Sequence, residues 1–189
     1  MTAASKKTHV FGSLLFLFLF SVGFSLAGCG GKGGDSDPPS ASGTFTPDSV
    51  NPGANTISLD GAVSGGDLYL TVKAGAVTDA IFGAAFDLVF NPDVLTYVEC
   101  SAGDFFNGGE GITCAVAVRN DRLIVGVTAG QPGTGASGTG AVVTFHFRDK
   151  AAGSSSTAFE NKALCSSAST ASCDRQPLLP WYGGTYSSS

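Results

Sequence analysis

Two histidines, five cysteines and fifteen carboxylates are the chain's main reserve of reactive side chains over its 189 residues. A Ser-His-acid relay would have to use His146, because His9 lies in an apolar leader. His146 sits between Phe145 and Phe147 in an alternating run, so it points outward from mid-strand, a poor seat for a positioned base. Asp104, Glu110 and Asp121 could be paired for glycoside cleavage, but they lie on Gly-rich loops where nothing holds two carboxyls roughly 5–10 Å apart. The sequence contains no GxSxG, P-loop or HExxH. Gly133-x-Gly135-x-x-Gly138 matches a dinucleotide fingerprint in letters only, since an apolar alternating run follows where a helix N-terminus should stand. These residues predict no enzyme, no catalytic residues and no cofactor.

Metal sites fare no better. There is no CxxC and one histidine beyond the leader, so zinc has no ligand set. No Asp-x-Asp-x-Asp loop is present for calcium. The aromatic group Trp181, Tyr182 and Tyr186 could stack on a sugar if the rings are exposed, whereas the single Trp could equally close the core beside the last strand.

The cysteines divide into one and four. Cys29 ends "LAGC" after Lys6-Lys7 and the apolar run "VFGSLLFLFLFSVGFSLAG". That order resembles the lipobox of bacterial lipoproteins, which implies cleavage before Cys29, lipidation of its thiol and acylation of the new amino terminus. Several acyl chains exceed what stable membrane anchoring needs. Gly30 follows Cys29, which by resemblance to enteric sorting points to the outer membrane or cell surface rather than inner-membrane retention. The remaining Cys100, Cys114, Cys165 and Cys173 form an even set in an exported chain and read as disulfides. Three pairings are open; Cys100–Cys114 and Cys165–Cys173 are preferred because each brackets a Gly- or Ser-rich loop between strand candidates.

Losing Lys6 and Lys7 would leave 8 basic against 15 acidic residues, a net charge of −7. An acidic surface with no basic run excludes nucleic acid as a partner and electrostatic adhesion to membranes. The predicted layout is a signal peptide over residues 1–28, a lipidated flexible tether over 29–43 ("GGKGGDSDPPSASG" after Cys29), and one domain over 44–189.

Within that domain every window reads as strand. "DLYLTVKA" puts Leu68, Leu70 and Val72 on one face. "AAFDLVF" turns Phe86, Leu88 and Phe90 inward, and Ala85, Asp87 and Val89 outward. "NTISLD", "VLTYVEC", "ITCAVAVR", "RLIVGVTA", "AVVTFHFR", "STAFE" and "WYGGTY" bring the total near nine. "GAVTDAIFGAAF" comes nearest to a helix, and its glycines and β-branched residues count against one. Short strands with turn signals every 8–12 residues predict an all-β, two-sheet sandwich or jelly roll.

Four pieces, in order, are similar to the cohesin family, receptor modules that hold dockerin-bearing proteins in polysaccharide-degrading assemblies. They are "ISLDGAVSGGDLYLTVKA", "GAAFDLVFNPDVLTYVECSAGDFF", "RLIVGVTAGQPGTGASGTGAVVTFHFR" and "WYGGTY", spanning about residues 55 to 186. The resemblance implies a nine-strand jelly roll related to some carbohydrate-binding modules. It also implies a surface-anchored, non-catalytic role with a dockerin-type or other envelope protein as partner and a link to polysaccharide. Family members dock through an Asn and an Asp on the third strand; those positions here are Gly83 and Ala85. The polar pair is therefore missing, and Asp87 and Val89, further along the same outward face, are the candidate partner contacts. Direct sugar binding through Trp181, Tyr182 and Tyr186, and a purely structural envelope lipoprotein, are the alternatives.

Overall fold

In a computed structural model the described residues are 42–106, 113–129, 135–166 and 179–189. The leader, Cys29, nearly all of the tether, Glu110, Gly133 and Cys173 lie outside them. Eleven strands follow in chain order: β1 (Thr44–Pro47), β2 (Thr56–Ser64), β3 (Asp67–Ile81), β4 (Gly83–Val89), β5 (Leu95–Ala102), β6 (Thr113–Arg119), β7 (Arg122–Thr128), β8 (Ala136–Asp149), β9 (Gly153–Cys165), β10 (Trp181–Tyr182) and β11 (Gly184–Ser188). They form a six-stranded sheet, β1-β11-β9-β4-β7-β6, and a five-stranded sheet, β10-β2-β3-β8-β5. Every pairing is antiparallel except β10 with β2. The architecture is the all-β sandwich that the alternating pattern predicted.

The period of two carries the core. Leu68, Leu70, Val72 and Ala74 from β3 meet Val143, Phe145 and Phe147 from β8, all fully buried, against Phe86 and Leu88 of β4 and Leu123, Val125 and Val127 of β7. The Phe86 ring lies edge-on to Phe145 and Phe159, with centroids 6.3 and 5.3 Å away. Phe90 and Tyr97 approach Phe147 at 5.2 and 5.8 Å at the other end of the core. Edge-to-face pairs of this kind add about 0.5–1.5 kcal/mol each beyond burial.

The segment nearest to a helix in sequence is strand: β3 continues through Ala74 to Ile81, with register shifts against β8. Alternating β-branched residues and a paired neighbour override any local helical preference. Two strands exceed the expected nine. The four-residue β1 is too short to show a period, and "WYGGTY" splits at Gly183 into β10 in one sheet and β11 in the other. A Cβ at Gly183 would stand 2.2 Å from the Thr157 carbonyl oxygen, so only glycine lets the chain cross there.

The turn at Asn91–Pro92 is held from several sides. The Asp93 amide donates to Asn91 Oδ1 at 3.0 Å, and the amides of Val94 and Leu95 donate to the Asn91 carbonyl. Asn91 Nδ2 donates to the Ser154 carbonyl. This Asx turn returns the chain so that Phe90 and Leu95 enter one core from successive strands. The Cys100–Cys114 disulfide then ties β5 of one sheet to β6 of the other. Closing a loop of that length stabilises by about 3 kcal/mol in the chain-entropy description. Cys165 is also disulfide-bonded, while Cys173 falls outside the described residues.

Candidate functional site

The two sheets turn very different outer faces to solvent. On the six-stranded sheet, one row across β6, β7, β4 and β9 reads Ala115, Gly126, Ala85 and Ala163. Side chains no larger than a methyl leave a level strip. The adjacent row reads Ala117, Ile124, Asp87 and Glu160. Ile124 stands up from it, 45% exposed.

Asp87 and Val89 do point outward, but Asp87 is only 8% exposed. Its Oδ2 accepts a 2.7 Å hydrogen bond from Asn161 Nδ2 and lies 3.5 Å from an Arg122 guanidinium nitrogen. Asn161 adopts φ 45° where β4 and β9 slip register, and that bulge aims its amide at Asp87. Arg122 also reaches Glu160 at 2.8 Å and Asp121 at 3.3 Å. Its guanidinium is held still more firmly protonated, first by hydrogen bonds to Asp121 and Glu160 and then by their charge. Asp87 thus anchors a charged rim, and its exposed neighbours Glu160 and Asp121 face solvent. Val89 is half-buried beside Arg122.

The proposed sugar platform does not assemble. Tyr186 is 0% exposed, so its ring offers no face to a ligand. Its hydroxyl is pushed to higher pKa, first by burial and then by the Asp149 charge. Trp181 is half-buried, its ring 4.9 Å from Phe159 and 5.6 Å from Phe86. It closes the core where β10 crosses to β2. Tyr182 is half-buried, in β10 beside β2.

Of the potential catalytic carboxylates, Asp104 and Asp121 are structural. Asp104 Oδ1 accepts the Ala141 amide at 2.7 Å, and Gly103 donates to the Val142 carbonyl, so this loop completes the ladder where β8 bulges. Asp121 pairs with Arg122. Gly135 leads directly into β8 and Gly138 lies within it, leaving no helix N-terminus there for a phosphate. Among the described residues no group of three His, Cys, Asp or Glu side chains could hold a metal ion.

The five-stranded sheet presents a bulkier, polar face. Tyr69 of β3 and His146 of β8 are register partners, and their rings stack at 4.7 Å with planes 12° apart. His146 Nε2 donates to Asp67 Oδ1 at 2.9 Å. That hydrogen bond is the main cause holding the Asp67 carboxyl below the usual range; burial opposes it, and the charges of His146 and Arg148 add smaller downward pulls. The Thr71 and Thr144 hydroxyls meet at 3.0 Å, and Lys73 pairs with Asp60. Sequence reading placed His146 on the surface but missed its ring partner, 77 positions away in the chain.

No protein-family model matches the sequence, and no curated protein matches it. Solved structures do match. CaCohA2 from Clostridium acetobutylicum superposes with a TM-score of 0.54 at 13% identity, covering 70% of this chain and 90% of that one. The sixth cohesin of scaffoldin B from Acetivibrio cellulolyticus, solved in complex with a mutant Cel5 dockerin, gives 0.52 at 16%, covering 76% and 96%. The cohesin module of a Clostridium perfringens family 33 glycoside hydrolase gives 0.51 at 10%, covering 78% and 95%. The domain therefore has a cohesin-like jelly-roll fold.

Proposed function

We propose that this chain is a non-catalytic recognition module that holds a dockerin-type or other envelope protein against the outer face of β9, β4, β7 and β6. One observation carries the reading. The level strip of Ala115, Gly126, Ala85 and Ala163 beside the projecting Ile124 is a surface on which a rigid partner can lie flat. Exposed apolar relief rimmed by charge is the general make-up of a protein interface, and a standard one buries about 1,600 Å² in total. A similar sandwich solved with a dockerin supports the kind of partner. Lipidation at Cys29 and a tether over residues 29–43 would hold the module at the bacterial envelope, outer membrane or cell surface, with polysaccharide-degrading enzymes among the partners.

The chain from residue 30 onward, immobilised and exposed to proteins carrying duplicated calcium-loop dockerin segments, should retain at least one of them. Ile124→Arg, which places a charge directly beside the strip, should weaken that capture about 30-fold or more at unchanged melting temperature. Failure to retain any dockerin, or capture indifferent to Ile124→Arg, ends the proposal. Loss of labelled palmitate incorporation in Cys29→Ala, expressed in the native envelope, checks the anchor separately.

A further inference from the structure

The geometry points to a second binding site, on the opposite sheet, for a pyranose unit of a neutral polysaccharide stacked against Tyr69. It is separate from the docking reading and does not rest on it. Tyr69 is 40% exposed, the most accessible aromatic ring on the described surface. One side of the ring is backed by His146 at 4.7 Å and nearly parallel, and His146 is fixed in turn by Asp67. Across the ladder on the other side stands Ala62, exposed and offering only a methyl. At this level β2 is the outer strand of the sheet, because β10 reaches no further than Ile57 and Ser58. The result is a slot open to solvent with one flat aromatic wall and a low floor.

Polar groups flank the slot along the strands. Two residues before Tyr69, Asp67 engages His146 and Arg148 through Oδ1, while Oδ2 makes no hydrogen bond or ion pair among the described residues. Two residues after it, Thr71 faces Asp60, whose carboxylate pairs with Lys73. A strand rise of about 3.4 Å per residue puts these groups roughly 7 Å to each side of the ring, within reach of the hydroxyls of a sugar centred on it. A pyranose has an apolar C–H face for the ring and equatorial hydroxyls for carboxylate and ammonium partners. The mixture of acids with Lys73 and Arg148 favours a neutral sugar over a charged one. Because His146 already holds the ring in place, stacking costs little additional ordering.

The test is titration calorimetry on the full chain in a sugar-free detergent with soluble β-1,4-linked hexasaccharides of glucose, mannose and xylose. At least one should saturate with a dissociation constant below about 1 mM. Tyr69→Ala should weaken that binding about tenfold or more, Tyr69→Phe should retain it, and Ile124→Ala on the other sheet should leave it unchanged. Should Tyr69→Ala lower the melting temperature, Ala62→Lys fills the slot without removing the ring and should abolish binding alike. No saturation by any of the three sugars, or binding that survives both Tyr69→Ala and Ala62→Lys, overturns the site.

Discussion

The outer faces of the two sheets share one core yet have opposite relief. Across β6, β7, β4 and β9 the residues pointing outward are mostly alanine, glycine and one isoleucine, with charge gathered at one side by Arg122. Across β3 and β8 they are Tyr69, His146, Lys73 and Arg148, standing high, with Tyr69 stacked on His146, Lys73 paired with Asp60 and Arg148 with Asp67. Both faces obey the same alternation, so the pattern that builds a sandwich leaves the outward half of each strand free to vary. A level face suits a broad partner, whereas a corrugated one suits a small ring.

That contrast can be broken by attacking what the faces share. Phe86 touches Phe145, Phe159 and Trp181, and therefore both sheets. Phe86→Ala should cost about 3–5 kcal/mol, read as a lowered denaturant midpoint, and both binding activities should fall together as the folded fraction falls. If one activity persists while the other vanishes, the faces do not depend on a common core. A smaller effect is expected at Asp87. Its removal leaves the Asn161 amide without its acceptor and should cost about 1–3 kcal/mol in a chemical melt, while Tyr69-dependent sugar binding stays intact.

The smallest effect sharpens the other face. The Asp67 carboxyl is held below its ordinary range, chiefly by the hydrogen bond from His146. A carboxyl depressed in the folded state stabilises the fold above its unfolded pKa, and that contribution disappears as pH falls through the lower folded value. Carbon NMR of the Asp67 carboxyl should therefore show a midpoint below that of an exposed aspartate. His146→Ala should bring the midpoint back up. An unchanged midpoint in that variant would mean that the His146–Asp67 contact does not govern this carboxyl.

Much of the fold was legible because it repeats. Leu68, Leu70 and Val72, or Val143, Phe145 and Phe147, declare an inward face at a spacing of two, and Asn91-Pro92 marks the reversal between strands. Cys100 and Cys114 were legible because they bracket a loop between two strand candidates. Three things were hidden. The crossing at Gly183 depends on a backbone approach to Thr157 that no local pattern records. The burial of Tyr186 and the half-burial of Trp181 depend on which sheet each half of "WYGGTY" joins. The occupation of Asp87 by Asn161 and Arg122 brings together side chains from three strands, one of them at a bulge that shifts the register. Periodicity tells which way a side chain points, and distant neighbours decide whether it is free.

The order of assembly follows from one pairing. Among the described strands β1 pairs only with β11, with Thr44 opposite Ser187. β1, the first of the described strands, must therefore wait for β11, the last of them, and closing so long a loop belongs to the slow end of folding. A stop codon anywhere after residue 166 but before residue 184 would strand β1 and uncover the ring of Phe45, which lies against Gly184, giving quality control a clear mark by which to recognise an unfinished chain.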